Sequence, residues 1–496
     1  MEQIKNKSLL SFMVASEVQG TAVTNPATGE VLGYAPVTTE NDILDGIERA
    51  SVAQKEWAAL PAKTRSGLLN RWYQLLLENK EDLGRLMTLE QGKPLAEAQG
   101  EVIYGASFIE WFVEEAKRTY GDTIPSPSAD KRLVTIKQPI GVACAITPWN
   151  FPIAMITRKA GPALAAGCTF IVKPSEATPF SAFAVAELAY QAGIPRDVLQ
   201  VVLGESSRQI GAIFTSHPLI RKLSFTGSTQ VGSVLMQQSA GDIKRTSMEL
   251  GGNAPFIVFD DADIDAAVTG AMASKFRNAG QTCVCANRFY VHSKVYDEFV
   301  TKFDAAVQQL KVGNGLEEGV NIGPVISESA KQGIQALIDG AIEQGAKPVT
   351  ELKELDGLFM QPVVLKDVTH DMKIVSEEIF GPVAPVIRFE TDEQLIEMAN
   401  DTIYGLASYF YSQNIHRVWK IAEALEYGMV GINEGMISTE VAPFGGVKQS
   451  GIGREGAKQG IDEYTTHSSS CRHWIIVLSR LVGSGMVRVV SADRQW

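Results

Sequence analysis

Long apolar runs are missing from this sequence. Even Trp474-Ile475-Ile476-Val477-Leu478 is soon cut by Arg480, and a membrane helix needs about 20 apolar residues, so no span is expected. Near the start, Lys5 and Lys7 precede Leu9-Leu10-Ser11-Phe12-Met13-Val14-Ala15, but this run is short and broken by Ser11. It reads as an ordinary N-terminal extension, not a leader. Positive charge is scarce too: a formal net charge of −12 and the lack of a basic patch argue against nucleic acid as the partner. Cysteines number 5, an odd count scattered along 496 residues. That makes no disulfide framework and points to a reducing compartment, the cytoplasm. Cys283 and Cys285 form a Cys-x-Cys pair, yet no His or further Cys stands at ligand spacing, so no metal is expected. Internal repeats and low-complexity tracts are absent.

What is present suits more than one core: 45% of residues are hydrophobic and 21% charged, and a chain of this length is expected to form two or three domains. From Asp42 to Ala116, Ile43, Ile47 and Ala50, then Leu68, Leu69, Trp72, Leu75 and Leu76, recur at helical intervals until Gly92-Lys93-Pro94 interrupts the pattern. A polar loop with Pro125 and Pro127 follows, and 132–137 alternates like a half-exposed strand. Beyond Pro139, buried strands are expected at 141–146, 169–172, 198–202 and 223–225, with helices at 155–166, 180–191 and 207–214 between them. Such alternation implies a parallel sheet covered on both faces, with ligands at the carboxyl ends of its strands. A second alternation begins at 255–259 and runs through helix 265–277, strand 288–291, helix 295–310 and helix 330–344. A boundary near residue 250 sets Glu249 and Cys283 on either side of a cleft between domains, a favoured place for a site.

Cys283 follows Ala279-Gly280-Gln281-Thr282 and has Arg277 and Arg288 in its vicinity, the setting of a thiolate nucleophile. The alternative is a small buried hydrophobe. Glu249 precedes Gly251-Gly252 and is either a base or a solvated strand end. Lys173-Pro174-Ser175-Glu176 ends a predicted strand, where Lys173, Ser175 and Glu176 either reach a ribose or form a proline turn. Gly227, Ser228 and Gly232 lie where another strand meets a helix, either facing a pyrophosphate or serving as an N-cap; this is not the Gly-x-Gly-x-x-Gly fingerprint. Asn150, between Pro148 and Pro152, is an amide donor or a helix cap.

Together, Glu249-Leu250-Gly251-Gly252 and Gly280-Gln281-Thr282-Cys283 resemble the signatures of the NAD(P)-dependent aldehyde dehydrogenase superfamily, and the resemblance runs from Asn25 to Tyr464. It implies an α/β fold with a Rossmann-like cofactor domain (1–120 and 140–250), an α/β catalytic domain (251–452) and a small β oligomerisation arm (121–139 and 453–496). It implies Cys283 as nucleophile, Glu249 as general base for thioester hydrolysis and Asn150 as oxyanion donor. Members that pass the acyl group to coenzyme A lack a carboxylate at the position of Glu249, so an acid product is implied. The cofactor is expected at Trp149, Lys173, Ser175, Glu176, Gly227, Ser228, Gly232, Leu250, Glu378 and Phe380. Lys-Pro-Ser-Glu favours NADP over NAD, with both open.

Arg158, Arg277 and Ser438 resemble the carboxylate-binding positions of succinate-semialdehyde dehydrogenases, which implies a semialdehyde acid as substrate, succinic first and glutaric second. On general grounds an arginine is usually a solvated or ion-paired surface group. In some of these enzymes a cysteine at the position of Cys285 forms a reversible disulfide with the nucleophile. A homodimer or homotetramer is implied, but from about His467 the chain leaves the family pattern. A non-catalytic relative with the same fold is the alternative.

Overall fold

The computed structural model describes residues 1–18, 20–130 and 133–466; Arg132 and the departure at His467 lie outside them. After an antiparallel pair of strands, Gly20–Thr24 with Val31–Pro36, four helices follow: α1 (Glu40–Ala59), α2 (Ala62–Glu78), α3 (Lys80–Gln91) and α4 (Leu95–Glu115). Thr39 caps α1 by accepting the Asp42 N–H. α3 stops at Gly92, whose φ of 97° suits a residue without a side chain. The N-terminal extension is not loose: Leu9 is buried in the first core, and Phe12 stacks on Phe183 with centroids 4.9 Å apart.

The chain then builds a six-stranded sheet in the order Gly451–Ile452, Arg245–Glu249, Ile220–Thr226, Val142–Ile146, Thr169–Lys173, Leu199–Val201. All pairs are parallel except the edge pair of Gly451–Ile452 with Arg245–Glu249. Helices α5 (Ala154–Ala166), α6 (Pro179–Gln191), α7 (Ser207–Ser216) and α8 (Thr229–Ser239) connect the strands. Side chains alternate between faces: Ala143 and Ala145 join one core, while Val142 and Cys144 join another on the opposite side.

A seven-stranded sheet follows, ordered Lys347–Pro348, Val363–Val368, Val383–Phe389, Ala286–His292, Ala254–Val258, Ala407–Tyr411, Met429–Ile432. Helix α9 (Ile264–Phe276) packs on it. The same alternation recurs, with Phe256 and Val258 in one core and Ile257 and Phe259 in the other. The expected strand at 132–137 is smaller than its pattern suggested: Leu133–Val134 pairs with Thr123–Ile124, and Gln138–Pro139 pairs with Thr465–Thr466. Among the described residues no helix is long and apolar enough to cross a membrane.

Candidate active site

Four neighbouring parallel strands deliver the first half of the site at their carboxyl ends, as open α/β sheets do. The strand Val142–Ile146 leads to Trp149 and Asn150, Thr169–Lys173 ends on Lys173, Ile220–Thr226 leads to Gly227 and Ser228, and Arg245–Glu249 ends on Glu249. Cys283 comes from the other side, in the loop between α9 and the strand Ala286–His292. That loop turns through Asn278, Ala279 and Gly280 at φ 51°, 55° and 75°. Only glycine fits the last position, because a Cβ there would stand 2.2 Å from the Gly381 oxygen. The halves meet at Gly252, where a Cβ would lie 2.1 Å from the Cys283 carbonyl oxygen. The glycine pair after Glu249 therefore lets the two backbones touch.

A cavity of about 250 Å³ opens at this junction, lined by Trp149, Asn150, Met155, Gly227, Ser228, Leu250, Cys283, Glu378 and Phe380 among others. Eight of the residues expected from sequence thus share one wall. Phe380 sets its ring edge-on to Trp149 at 5.8 Å. Glu378 accepts the Gly252 N–H at 3.0 Å, and burial pushes its carboxyl up to about 7. Met155 and Thr226 also line the cavity; Met155 was not expected, although it lies one helical turn before Arg158 on α5.

The Cys283 thiol is partly exposed to this cavity, but it is not the stabilised thiolate expected from its cationic neighbours. Burial pushes it up to about 12; Arg158 and Arg277 pull it down, while Glu378 and Glu249 oppose them. Asn150 is not the cap of α5, whose N-cap is Ile153. Its side-chain amide donates to the Gln281 carbonyl at 3.0 Å, and its Oδ1 accepts the Phe151 N–H at 3.1 Å. An amide carries two N–H groups, so one remains for the cavity.

Glu249 is buried and is not part of the cavity wall, and neither carboxylate oxygen has a hydrogen-bond partner. Burial and the nearby Glu455 push its pKa well above the usual carboxylate range, against the pull of Arg158 and Lys159. Raising the pKa makes the ionised carboxylate a stronger proton acceptor.

The remaining expected residues stand apart from the cavity wall. Arg158 is buried, ion-paired with Glu455, and 4.2 Å over the Phe444 ring. Burial works against its charge and Glu455 more than restores it. Its guanidinium is held by Glu455, with Nη2 3.1 Å from the sulfur of Met155 on the cavity wall. Arg277 is half-buried and lies 5.0 Å from the Phe151 ring centroid. Ser438 sits half-buried in the loop after Met429–Ile432. Gly232 packs under Leu250, where a Cβ would come within 2.4 Å of Cδ2. Cys285 is buried, with its sulfur 3.4 Å from Lys275 Nζ. Lys159, missed in the sequence along with Glu455, donates to Thr226 Oγ1 at 2.6 Å and pairs with Glu455.

A nicotinamide dinucleotide suits this arrangement. Ser228 Oγ accepts the Val231 N–H at 3.4 Å, leaving the first N–H groups of α8 open, as at any helix start. Lys173 Nζ is held 2.6 Å from Glu176, which also accepts the Ser207 hydroxyl, while Ser175 Oγ accepts the Ala177 N–H at 3.3 Å. This polar cluster lies at a strand end separated from that of Thr226 by the one strand Val142–Ile146, which pairs with both. Among the described residues there is no group of His, Cys, Asp and Glu fit to hold a metal ion.

The aldehyde dehydrogenase family model matches residues 13–469. The glutarate-semialdehyde dehydrogenase of Pseudomonas putida is 59% identical over 91% of this chain and 94% of its own length. The NADP(+) succinate-semialdehyde dehydrogenase GabD of Escherichia coli is 58% identical over 93% of this chain and 96% of its own. Among solved structures, an aldehyde dehydrogenase from Brucella melitensis biovar abortus superposes with a TM-score of 0.92 at 57% identity, covering 94% of this chain and 98% of that one. The chain belongs to the aldehyde dehydrogenase family.

Proposed function

We propose that this protein oxidises a semialdehyde acid to the diacid with NADP or NAD, NADP being favoured, and that succinic semialdehyde is its first substrate and glutaric semialdehyde its second. The observation that carries this reading is the shared cavity of Cys283, Asn150, Glu378 and Phe380, with Arg277 in the adjoining loop. The names of the relatives from Pseudomonas putida and Escherichia coli support both substrates, and the latter supports NADP.

Cys283 gives up its thiol proton to solvent, Sγ forms a bond to the aldehyde carbon as the C=O π bond opens, and the free N–H of Asn150 donates to the oxygen as it becomes negative. One such donor is worth roughly 2.7–4 kcal/mol in the transition state. The dinucleotide, when bound, supplies the hydride acceptor; Trp149, Gly227, Ser228, Leu250, Glu378 and Phe380 would hold its nicotinamide half, and Lys173, Ser175 and Glu176 its adenosine half. Glu249 then takes a proton from the water that attacks the Cys283 thioester, releasing the acid and restoring the thiol. Arg277, assisted by Arg158 and Ser438, would hold the distal carboxylate, because a guanidinium offers a planar fork to such a group. Residues 1–120 with 140–250 would form the cofactor domain and 251–452 the catalytic domain, although Gly451–Ile452 pairs with the first sheet. We assign the protein to the cytoplasm as a homodimer or homotetramer.

Reduced-cofactor absorbance with succinic semialdehyde tests the whole reading. Turnover is expected with NADP above NAD and none in Cys283→Ala. Arg277→Ala should raise KM for succinic semialdehyde at least tenfold more than for an uncharged aldehyde, a tenfold change being about 1.4 kcal/mol. Equal effects on both aldehydes sink the carboxylate assignment, and turnover surviving in Cys283→Ala sinks the mechanism.

A further inference from the structure

Lys93 stands at the corner between α3 and α4 and is almost wholly buried. An ammonium in such a place is tolerated only when paired and hydrogen-bonded. Its Nζ is ion-paired with Glu101, also buried, and donates to the main-chain oxygen of Asn150 at 2.7 Å. It also lies 4.0 Å over the Phe151 ring. The other oxygen of Glu101 accepts the N–H groups of Ile153 and Ala154 at 3.0 and 3.2 Å. One ion pair therefore grips the Asn150 segment on both sides, at the carbonyl of Asn150 and at the start of α5.

The same corner grips the loop that carries Cys283. Gln91 accepts the Lys93 N–H at 2.9 Å and donates from Nε2 to Asn278 Oδ1 at 3.0 Å. Glu97 accepts the Asn278 N–H at 2.8 Å, and Asn278 Nδ2 donates back to the Asn150 oxygen at 3.1 Å. The Asn150 oxygen thus receives Lys93 from one side and the Cys283 loop from the other. Asn278 holds a left-handed backbone that is unfavourable for a residue with a side chain and persists where surrounding contacts impose it.

We propose that Lys93, paired with Glu101, is a positioning residue that fixes the Asn150 amide against the Cys283 thiol. The proposal rests on Asn150 being the oxyanion donor. An interaction of this kind acts in the transition state, so its loss lowers kcat and kcat/KM together and leaves ground-state binding in place. A misplacement near 1 Å is worth about 10²-fold in rate.

Lys93→Met alone strands the Glu101 charge and endangers folding, so the neutral pair Lys93→Met with Glu101→Gln is the decisive variant. It is compared with the parent, with Asn150→Ala, and with all three changes together. The readouts are kcat per alkylatable Cys283 thiol, KM, cofactor Kd and Tm. The neutral pair should lower kcat about 10²-fold with KM and Kd within about twofold. Adding Asn150→Ala should then cost far less than the 10²–10³-fold that Asn150→Ala costs alone. A lower Tm with unchanged kcat per thiol overturns the proposal, as does full additivity with Asn150→Ala. An Asn150→Ala enzyme with parental kcat identifies a different failure, that of the oxyanion assignment itself. If Lys93→Met and the neutral pair both fail to fold, Gln91→Met is measured in the same way; a parental kcat there overturns the proposal.

Discussion

Two thiols two positions apart stand in different surroundings. Cys283 meets the cavity, whereas Cys285 is enclosed with Lys275 Nζ at 3.4 Å from its sulfur. Burial pushes the Cys285 thiol up and Lys275 pulls it down. We propose that an oxidant such as peroxide meets Cys283 first, that the thiol gives sulfenic acid and water, and that the Cys285 thiol then displaces hydroxide from that sulfur, leaving a disulfide and a second water. Peroxide inhibition is expected to be fully reversed by dithiothreitol in the parent and largely irreversible in Cys285→Ala, where the sulfenic acid goes on to sulfinic acid. Inhibition that dithiothreitol reverses equally in both removes Cys285 from the process. The identities of Cys283 and Glu249 were legible because their motifs stand in the sequence. Their protonation was not, because burial raises both groups and, for Glu249, the charge of Glu455 adds to it, effects made by chain segments far away in sequence.

Helices were the most legible elements, since the apolar spacing of α1 and α2 fixes both period and buried face. Gly92-Lys93-Pro94 was legible as a break between helices, but its grip on Asn150 was not, because hydrogen bonds to a distant main chain leave no periodic trace. The start of α6 makes the same point. Its N-cap Thr178 makes no side-chain cap; instead Glu90, on α3, accepts the N–H groups of Phe180 and Ser181, each at 2.8 Å. Burial pushes Glu90 up to about 8 from the ordinary value of 4.5, although those N–H groups pull it down. The folded protein thus keeps a proton that the unfolded chain has already lost. This contribution to stability is fully present below about pH 4.5 and is lost as pH rises through about 8; Glu378, pushed up to about 7, acts in the same direction. Glu90→Gln should therefore lose less stability than the parent between about pH 5 and about pH 8, measured as urea midpoints. Parallel pH profiles for the two proteins refute the linkage.

Over the whole molecule, the last described segment ties the two sheets' territories together. After Met429–Ile432 closes the second sheet, the chain returns so that Gly451–Ile452 borders the first. A strand of two residues is too short to show an alternation, so this return was not legible as structure. Its anchor is Glu455, which meets Arg158 and Lys159 of α5 with all three side chains buried. Burial raises the Glu455 carboxyl, but Arg158 and Lys159 outweigh it, and the group stays ionised. Buried triads of this kind return little net stability over apolar packing, yet removing one partner strands the others. Glu455→Gln should cost about 3–5 kcal/mol, while replacing Arg158, Lys159 and Glu455 together by Met, Met and Leu should restore most of that loss. Chemical denaturation of the two variants beside the parent distinguishes the cases. A loss below about 1 kcal/mol for Glu455→Gln would mean that water reaches the triad and that the return segment is held by its strand pairing and by the Lys222–Glu463 ion pair instead.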